Sequence, residues 1–372
     1  MTIYEYIEEY GDYSFKERKL NEVDAVIFSF LSYMDFSNLV QEGEKITIQE
    51  AGKNQIEINP KKDKNIIAVQ EANKIFKHLK NKTRYKDCIL SNYEYIGNDV
   101  LQVGVICIEY EKDKIFVSFE GTDALMSGWK EDFLLGTDFP TKSHKLAIKY
   151  INKLFTFTSK KIILGGHSKG GNLALVAGMY ANRLVRHKIT KIYSADGPGL
   201  LDKQFKSLRY QNIKKKFIHI IPNSSIIGIL LNHSNDRIVK ATKKGFLAHN
   251  IAYWEVEDKI FKRSTLDTFS KELDKRLIHW LRSTSKETKI EITNNIYDIL
   301  LKANVHSIVE VKENKRKIID ILSKTNSITK ETKNQLKELL FILIKSIETT
   351  KKEEFKSIIN DLLTIKEKNE VK

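Results

Sequence analysis

Residues 160–177 read K-K-I-I-L-G-G-H-S-K-G-G-N-L-A-L-V-A, and this stretch decides the fold. The apolar residues Ile162 to Leu164 predict a buried strand, and Asn172 to Met179 predict a buried helix. Between them, Gly166 to Gly170 has the form G-x-S-x-G, which puts a serine at a tight strand-to-helix turn. Its neighbours must be small because larger side chains would clash with the strand or the helix. The competing interpretation is a glycine-rich turn of a nucleotide-binding unit.

This turn predicts that Ser168 is a nucleophile exposed at the carboxyl edge of a sheet. The backbone N–H of Lys169, at the start of the helix, would face the position where an oxyanion develops. A second candidate donor is Thr122, which follows an earlier predicted strand and could use its backbone N–H and its hydroxyl. The alternative for Thr122 is an ordinary turn residue.

Strands and helices alternate on both sides of the Ser168 turn. Leu101–Tyr110 and Ile115–Phe119 predict a hairpin, and Lys191–Ala195 and Lys216–Pro222 predict further strands. Alternation of this kind predicts an α/β domain, residues 1–264, with a mainly parallel sheet. Within this domain, we expect residues 1–85 to form a helical cover over the sheet, with helices at Glu22–Tyr33 and Ile66–Leu79. We expect residues 265–372 to form a helical C-terminal region.

A histidine is the natural base for a nucleophilic serine, because its pKa lets it accept and return a proton near neutral pH. His249 is the best placed of the 9 histidines, since it lies in a loop well after Ser168 and fits the chain order Ser, acid, His. Two carboxylates could orient it. Asp196 follows the strand after the Ser168 unit, Asp236 follows the next strand, and the sequence leaves both open.

Composition limits the partners and the cellular location that we expect for the protein. The chain has 372 residues, a hydrophobic content of 41%, 4 prolines and a net charge of +15. The positive charge is nearly all lysine and is interleaved with acids, which indicates solvated faces and weak attraction to an anionic membrane surface rather than a specific nucleic-acid site. Two cysteines, Cys88 and Cys107, exclude a disulfide scaffold, and we expect no signal peptide and no membrane span, hence a cytoplasmic protein. No metal or organic cofactor is implied, and the oligomeric state is left open.

Several motifs together resemble a known family. In chain order these motifs are N-E-V-D-A-V-I (21–27), F-E-G-T-D (119–123), G-W-K-E-D-F (128–133), G-G-H-S-K-G-G-N-L-A (165–174), D-G-P-G (196–199), P-N-S-S-I-I-G (222–228) and H-N-I-A-Y-W (249–254). Nearly the whole chain resembles the Mbeg-like family, a bacterial lipase-like family that is remotely similar to class 3 lipases. The resemblance implies an α/β-hydrolase fold, with Ser168 matching the lipase nucleophile and Thr122 the Gly-Thr oxyanion loop. The chain carries Glu120 where these families usually have arginine, and Ser224-Ser225 near the expected position of the lipase aspartate.

Three functional hypotheses follow. The first is a serine hydrolase acting on a carboxylic ester such as a lipid or acyl ester, in which the apolar run Ile226–Leu231 lines an acyl pocket or serves as core or lid. The second is an inactive hydrolase fold that binds partners through its lysine-rich helical region. The third is a membrane- or nucleic-acid-associated protein that depends on its positive charge.

Overall fold

The computed structural model describes residues 1–40, 43–53, 67–98, 101–122, 135–305 and 314–324, with 334, 335 and 337. The predicted motif at 128–133 and most of the chain beyond 324 lie outside the described residues.

An eight-stranded sheet organises the described chain, and its strands follow one another in space in the same order as in sequence. The first four are joined as antiparallel neighbours, and β4 to β8 are parallel. This makes the fold an α/β fold with a mainly parallel sheet, as predicted. The strands are β1 Lys45–Thr47, β2 Ile89–Asn98, β3 Leu101–Glu111, β4 Lys114–Phe119, β5 Lys161–His167, β6 Ile189–Ala195, β7 Phe217–Pro222 and β8 Asp236–Val239, and a separate pair consists of β9 Val256–Glu257 and β10 Ile260–Phe261.

The two directions of pairing follow from the connections. A short turn joins β3 to β4, which permits the predicted antiparallel hairpin. Helices connect β4 to β5, β5 to β6 and β6 to β7, and a loop connects β7 to β8. The helices are α1 Ile3–Tyr10, α2 Glu22–Leu31, α3 Ile48–Lys53, α4 Ile67–Leu79, α5 Lys142–Phe155, α6 Lys169–Tyr180, α7 Arg183–Lys188, α8 Asp202–Phe205, α9 Leu208–Ile213, α10 Thr268–Ser283, α11 Lys286–Lys302 and α12 Lys315–Lys324.

Alternate residues of the strands supply two apolar cores, one on each face of the sheet. On β3, Ile106 and Ile108 belong to the core under the N-terminal helices, whereas Val105 and Cys107 belong to the core under α5 and α6. The described helices of region 1–85 pack against one face of the sheet. The region also contributes β1, which pairs with β2 at the edge of the sheet.

A buried ion pair fixes the N-terminal cover. All ten residues of α2 are buried, including Asp24, whose carboxylate accepts two hydrogen bonds from the Arg84 guanidinium at 2.8 and 2.6 Å. Tyr6 and Tyr85 donate to the same carboxylate. A buried charge is tolerated only when it is paired and hydrogen-bonded, so Arg84 and the two tyrosines explain how an acidic residue can lie within this apolar helix.

The C-terminal helices pack against the end of the sheet. The N-cap of α10 is Asp267, whose backbone N–H donates to the Asn223 carbonyl at 2.8 Å and whose carboxylate accepts a hydrogen bond from Ser224. Leu273 of α10 lies in one small apolar cluster with Ile221 and Ile229. These contacts place the helical region against the loop that follows β7. Among the described helices, none combines the length and the apolar character needed to cross a bilayer.

Candidate active site

Ser168 lies between the last residue of β5 and the first residue of α6, with φ 57° and ψ −132°. Positive φ is strained for a residue with a side chain, and such strain persists only where the surroundings enforce it. The flanking glycines show how it is enforced. A Cβ on Gly166 would lie 2.3 Å from the backbone carbon of Gly170, and a Cβ on Gly170 would lie 2.1 Å from the carbonyl oxygen of Phe119. The strand, turn and helix can therefore approach this closely only with glycine at both positions.

His249 ends a short 3₁₀ turn, Gly245–His249, and its ring faces Asp196. The Nδ1 atom of His249 is 2.6 Å from Oδ2 of Asp196, which is fully buried and directly follows β6. Because a carboxylate only accepts, this contact assigns the Nδ1 proton to His249 and leaves Nε2 for another partner. Of the two candidate acids, Asp196 is therefore the one that the fold brings to His249.

Two groups from the loop after β7 hold the second oxygen of Asp196. Ser225 Oγ donates to Oδ1 at 2.5 Å, and the backbone N–H of Gly228 donates to the same oxygen at 3.0 Å. Sequence reasoning missed both, and it noted Ser225 only as a departure from the lipase pattern. The nearest sequence signal was the P-N-S-S-I-I-G motif itself, but nothing in it indicates a contact with a residue about thirty positions earlier.

Asp236, the other candidate acid, belongs to a different group. Its two carboxylate oxygens lie 2.7 Å from Nδ1 of His219 and 2.7 Å from Nδ1 of His233. The expectation that Asp236 could serve His249 is not matched by this geometry, because β8 starts at Asp236 and pairs it with His219 on β7. The register of these two parallel strands directs the carboxylate away from the Ser168 turn.

His167 supports His249 from the residue before the serine. Its Nε2 lies 2.9 Å from the carbonyl oxygen of His249, its Nδ1 lies 2.9 Å from the hydroxyl of Tyr33, and the two imidazole rings are 4.3 Å apart. The carbonyl can only accept, so Nε2 carries the proton and Nδ1 of a neutral ring accepts from Tyr33. Burial lowers the pKa of His167 well below its ordinary value, and the nearby charge of His249 lowers it further. A neutral ring at this position adds no charge beside His249.

The two candidate oxyanion donors lie at the same edge. Thr122 follows β4 and lines the cavity that Ser168 faces, and Lys169 begins α6. A Cβ on Gly121 would lie 2.5 Å from the His167 carbonyl oxygen and 3.0 Å from Cβ of Ser168, so glycine brings the Thr122 segment against the serine turn. The Lys169 side chain points away into the protein, where Nζ donates to the Gln102 carbonyl at 2.9 Å.

A cavity of about 300 Å³ opens beside Ser168 and His249. Its wall is mostly apolar, and several parts of the chain line it, among them α2, α4, the loop after β7, the segment around His249, and the helices α10 and α11. The apolar run for which the sequence left open a pocket wall, a core segment or a lid contributes residues to this cavity, and the helical region contributes residues too. The residues that these two parts contribute are Ile227, Leu230 and Leu231 from the loop, Leu277, Trp280 and Leu281 from α10, and Lys289, Ile292, Thr293 and Ile296 from α11.

Comparison with known families gives the chain its relatives. Residues 79–298, more than half of the chain, match the profile of the family described as Mbeg1-like. The chain belongs to the Mbeg1-like family. The match confirms the resemblance drawn from the motifs and covers the whole sheet from β2 onwards, but it leaves out residues 1–78 and everything after 298. The candidate site residues Ser168, His249, Asp196 and Thr122 all fall within the matched range.

The chain can also be compared with curated proteins and with solved structures. None of the curated proteins matches the chain. Among solved structures, one described as the crystal structure of M37 lipase is 14% identical, covers 55% of this chain and 68% of its own, and superposes with a TM-score of 0.32. A likeness this distant does not extend to individual side chains.

Proposed function

We propose that this protein is a serine hydrolase that cleaves carboxylic esters with an apolar acyl group. One observation carries the proposal: a buried carboxylate, Asp196, is 2.6 Å from the ring of His249, and this pair lies at the same cavity as the strained Ser168 turn. Nucleophile, base and orienting carboxylate at one cavity, in the chain order Ser, Asp, His, form the arrangement used by α/β-hydrolases.

Each residue has a distinct role in this mechanism. His249 removes the proton from Ser168 as the hydroxyl attacks the ester carbonyl, and then gives that proton to the leaving alcohol. Asp196 keeps the proton on Nδ1 and stabilises the imidazolium that forms. The backbone N–H groups of Lys169 and Thr122 stabilise the oxyanion of the tetrahedral intermediate. Water then repeats the sequence on the acyl-enzyme.

The cavity supports an apolar acyl group as the substrate class. Its volume of about 300 Å³ lies at the lower end of the range of small-ligand pockets, and its wall is mostly apolar. Burial of each methylene contributes about 0.8 kcal/mol, so a wall of leucine, isoleucine and tryptophan favours acyl chains over polar or very short groups.

Labelling with a fluorophosphonate probe tests the proposal without knowledge of the natural substrate. The probe reacts with a serine that has an assembled base and oxyanion site, so we expect the wild type to be labelled and the Ser168→Ala and His249→Ala variants to lose labelling. Ser283→Ala, an exposed serine at the end of α10, is the matched control and should be labelled like the wild type. A folded wild type that does not react would overturn the proposal and favour an inactive binding protein.

A further inference from the structure

A second polar cluster lies outside the candidate active site and contacts the loop that carries Asp196 at Gly197. It consists of His219 on β7, His233 in the loop before β8, and Asp236 at the first position of β8. Their ligand atoms all lie within 4.8 Å of one another. His219 is buried, whereas the Asp236 side chain is 22% exposed, so the cluster is open to small ions from one side.

The hydrogen bonds on the far side of each imidazole orient the cluster. His219 Nε2 lies 2.8 Å from the carbonyl oxygen of Gly197, and the His233 ring is hydrogen-bonded to the backbone of Ile229. A carbonyl accepts only, so the proton of a neutral His219 is on Nε2. Nδ1 then presents a lone pair to Asp236. Histidines that bind metals in proteins are held in the same way, with one ring nitrogen donating to the protein and the other facing the ion.

The Nδ1 lone pairs of His219 and His233 therefore point at the Asp236 carboxylate, whose oxygens can only accept hydrogen bonds. The Nδ1 atoms of His219 and His233 each approach a different oxygen of Asp236 at 2.7 Å. Acceptors are stable at this separation only if a positive charge lies between them, which is either a proton on each ring or a metal ion shared by all three side chains.

A nearby carboxylate favours the shared metal ion. Within the described part of the chain, Oδ1 of Asp274 on α10 is buried and has no hydrogen-bond partner. The residue before Asp274, Leu273, packs with Ile229 of the loop that leads to His233. A metal ion bound by the cluster would give this buried oxygen a partner through a coordinated water.

We propose that His219, His233 and Asp236 bind a divalent transition-metal ion, zinc by chemical preference, with Asp274 as an outer carboxylate. Two imidazoles and a carboxylate are a donor set that zinc accepts, and the fourth position is then available to water. Zinc holds such ligands at about 2.0–2.2 Å, so the present separations require only small side-chain movements around the ion.

Such an ion would act as a structural clamp. It would join β7, β8 and the loop at His233, and the Gly197 carbonyl links His219 directly to the residue after Asp196. The inference concerns a separate site and does not depend on the proposed esterase activity.

Metal content and zinc binding of the full-length protein test this inference. We expect about one zinc per chain after purification. After removal of metal with a chelator, we expect calorimetric titration with zinc chloride to give one site, and the melting temperature to rise on zinc addition.

His233→Gln should weaken zinc binding at least 100-fold, and Asp236→Asn should weaken it to the same extent. The matched control is His279→Gln, an exposed histidine on α10, which should bind zinc like the wild type.

The spectrum of the cobalt(II)-substituted wild type gives a readout that needs no variant, since a four-coordinate nitrogen and oxygen site absorbs strongly in the visible range. Absence of zinc in the purified protein, together with no heat of binding and no change in melting temperature, would overturn the inference and assign the cluster to two protonated histidines. Equal zinc affinity in His233→Gln and the wild type would also overturn it, by moving the ion elsewhere.

Discussion

Both carboxylate oxygens of Asp196 accept hydrogen bonds that hold it beside His249. One oxygen accepts from His249, and the other accepts from Ser225 and from the Gly228 backbone. Its own φ of 47° is a strained value, and its backbone N–H donates to Ile220 at 2.7 Å, which joins the residue to β7. A buried carboxylate held from so many directions cannot rotate away from the histidine, which is what an orienting acid requires.

Replacement of Asp196 by asparagine tests its role. Asparagine keeps the shape but can donate to Nδ1, which favours the wrong histidine tautomer, so we expect a kcat lower by about 10³- to 10⁴-fold. Hydrolysis of a short-chain ester provides the measurement, and Asp113→Asn, an exposed turn residue between β3 and β4, provides the control. Activity within tenfold of the wild type would rule Asp196 out as the acid.

The adjacent serines 224 and 225 allow a matched comparison. Ser225 donates to Asp196, whereas Ser224 donates to Asp267 at the start of α10. Ser225→Ala removes one hydrogen bond to the charged acid, so we expect roughly a tenfold loss of kcat. Ser224→Ala should lower the melting temperature and leave kcat near the wild-type value. Equal effects of the two variants on kcat would mean that Ser225 serves only the packing of the loop.

His167 predicts a pH dependence of stability. Its pKa is depressed in the folded protein, so below its unfolded pKa of about 6.5 the unfolded chain binds a proton that the folded chain does not. The free energy of unfolding therefore decreases as pH falls below about 6.5. We expect His167→Gln to be less stable at pH 7.5 but to lose less stability between pH 7.5 and 5.0. Urea denaturation at both values measures this difference, and parallel losses in variant and wild type would contradict it.

Among the candidate site residues, the sequence predicted those that belong to a local motif or to a known chain order. Ser168 stands in a motif whose spacing has a steric cause, and His249 follows from chain order. The choice between Asp196 and Asp236 could not be made, because both follow strands and only the pairing register decides where each carboxylate points. Ser225, Gly228 and the Tyr33–His167 pair act across long stretches of chain, so no local pattern indicates them.

Among the elements, the strand, turn and helix around Ser168 depend most on glycine. We expect Gly170→Ala to destabilise the fold by about 3 kcal/mol or more, because its Cβ would meet the rigid backbone oxygen of Phe119 at 2.1 Å. Gly178→Ala, later in α6, is the matched control. Its Cβ would meet only the Cδ1 atom of Ile192, which can rotate away, so a smaller cost is expected. Urea denaturation compares the two, and similar destabilisation would show that the close approach to β4 is not the constraint.

The sequence predicted helices and strands correctly where apolar residues form long runs, and it missed a strand where the backbone is irregular. The hairpin of β3 and β4 and the buried helix α2 have long apolar runs and appear close to their predicted bounds. Strand β2 was missed. Its pairing with β3 is interrupted between Ser91 and Glu94, and Asn92 has φ 51°, so the alternation of apolar and polar residues is broken in the middle of the strand.

For the whole molecule, the main unpredicted feature is the position of the helical region. Its amphipathic pattern predicted helices but could not indicate what their apolar faces cover, because a helical stripe fits many partners. In the structure, α10 and α11 close one side of the cavity beside Ser168. The segment expected to be an appendage thus contributes directly to the proposed binding site.

Trp280 tests whether these helices set the length of the acyl chain. Its ring lines the cavity, and its Nε1 donates to Gln335 at 3.1 Å. Trp280→Ala enlarges the cavity, so we expect the preference for long over short acyl esters to rise roughly tenfold. A series of esters of increasing chain length gives the measurement, and Phe157→Ala, an aromatic side chain that is 95% exposed, gives the control. An unchanged chain-length profile would place the acyl group elsewhere.

The agreement between strand order and chain order has a consequence for synthesis on the ribosome. Each strand of the large sheet pairs with the one made just before it, so the sheet can grow from β1 to β8 as the chain emerges, without waiting for a distant partner. The Ser168 turn and Asp196 follow β5 and β6, whereas His249 and the helices beside the cavity are made after β8. A nascent chain therefore has all eight strands of the large sheet before it has the proposed base, and we expect its serine to stay unreactive until at least two thirds of the chain has been made.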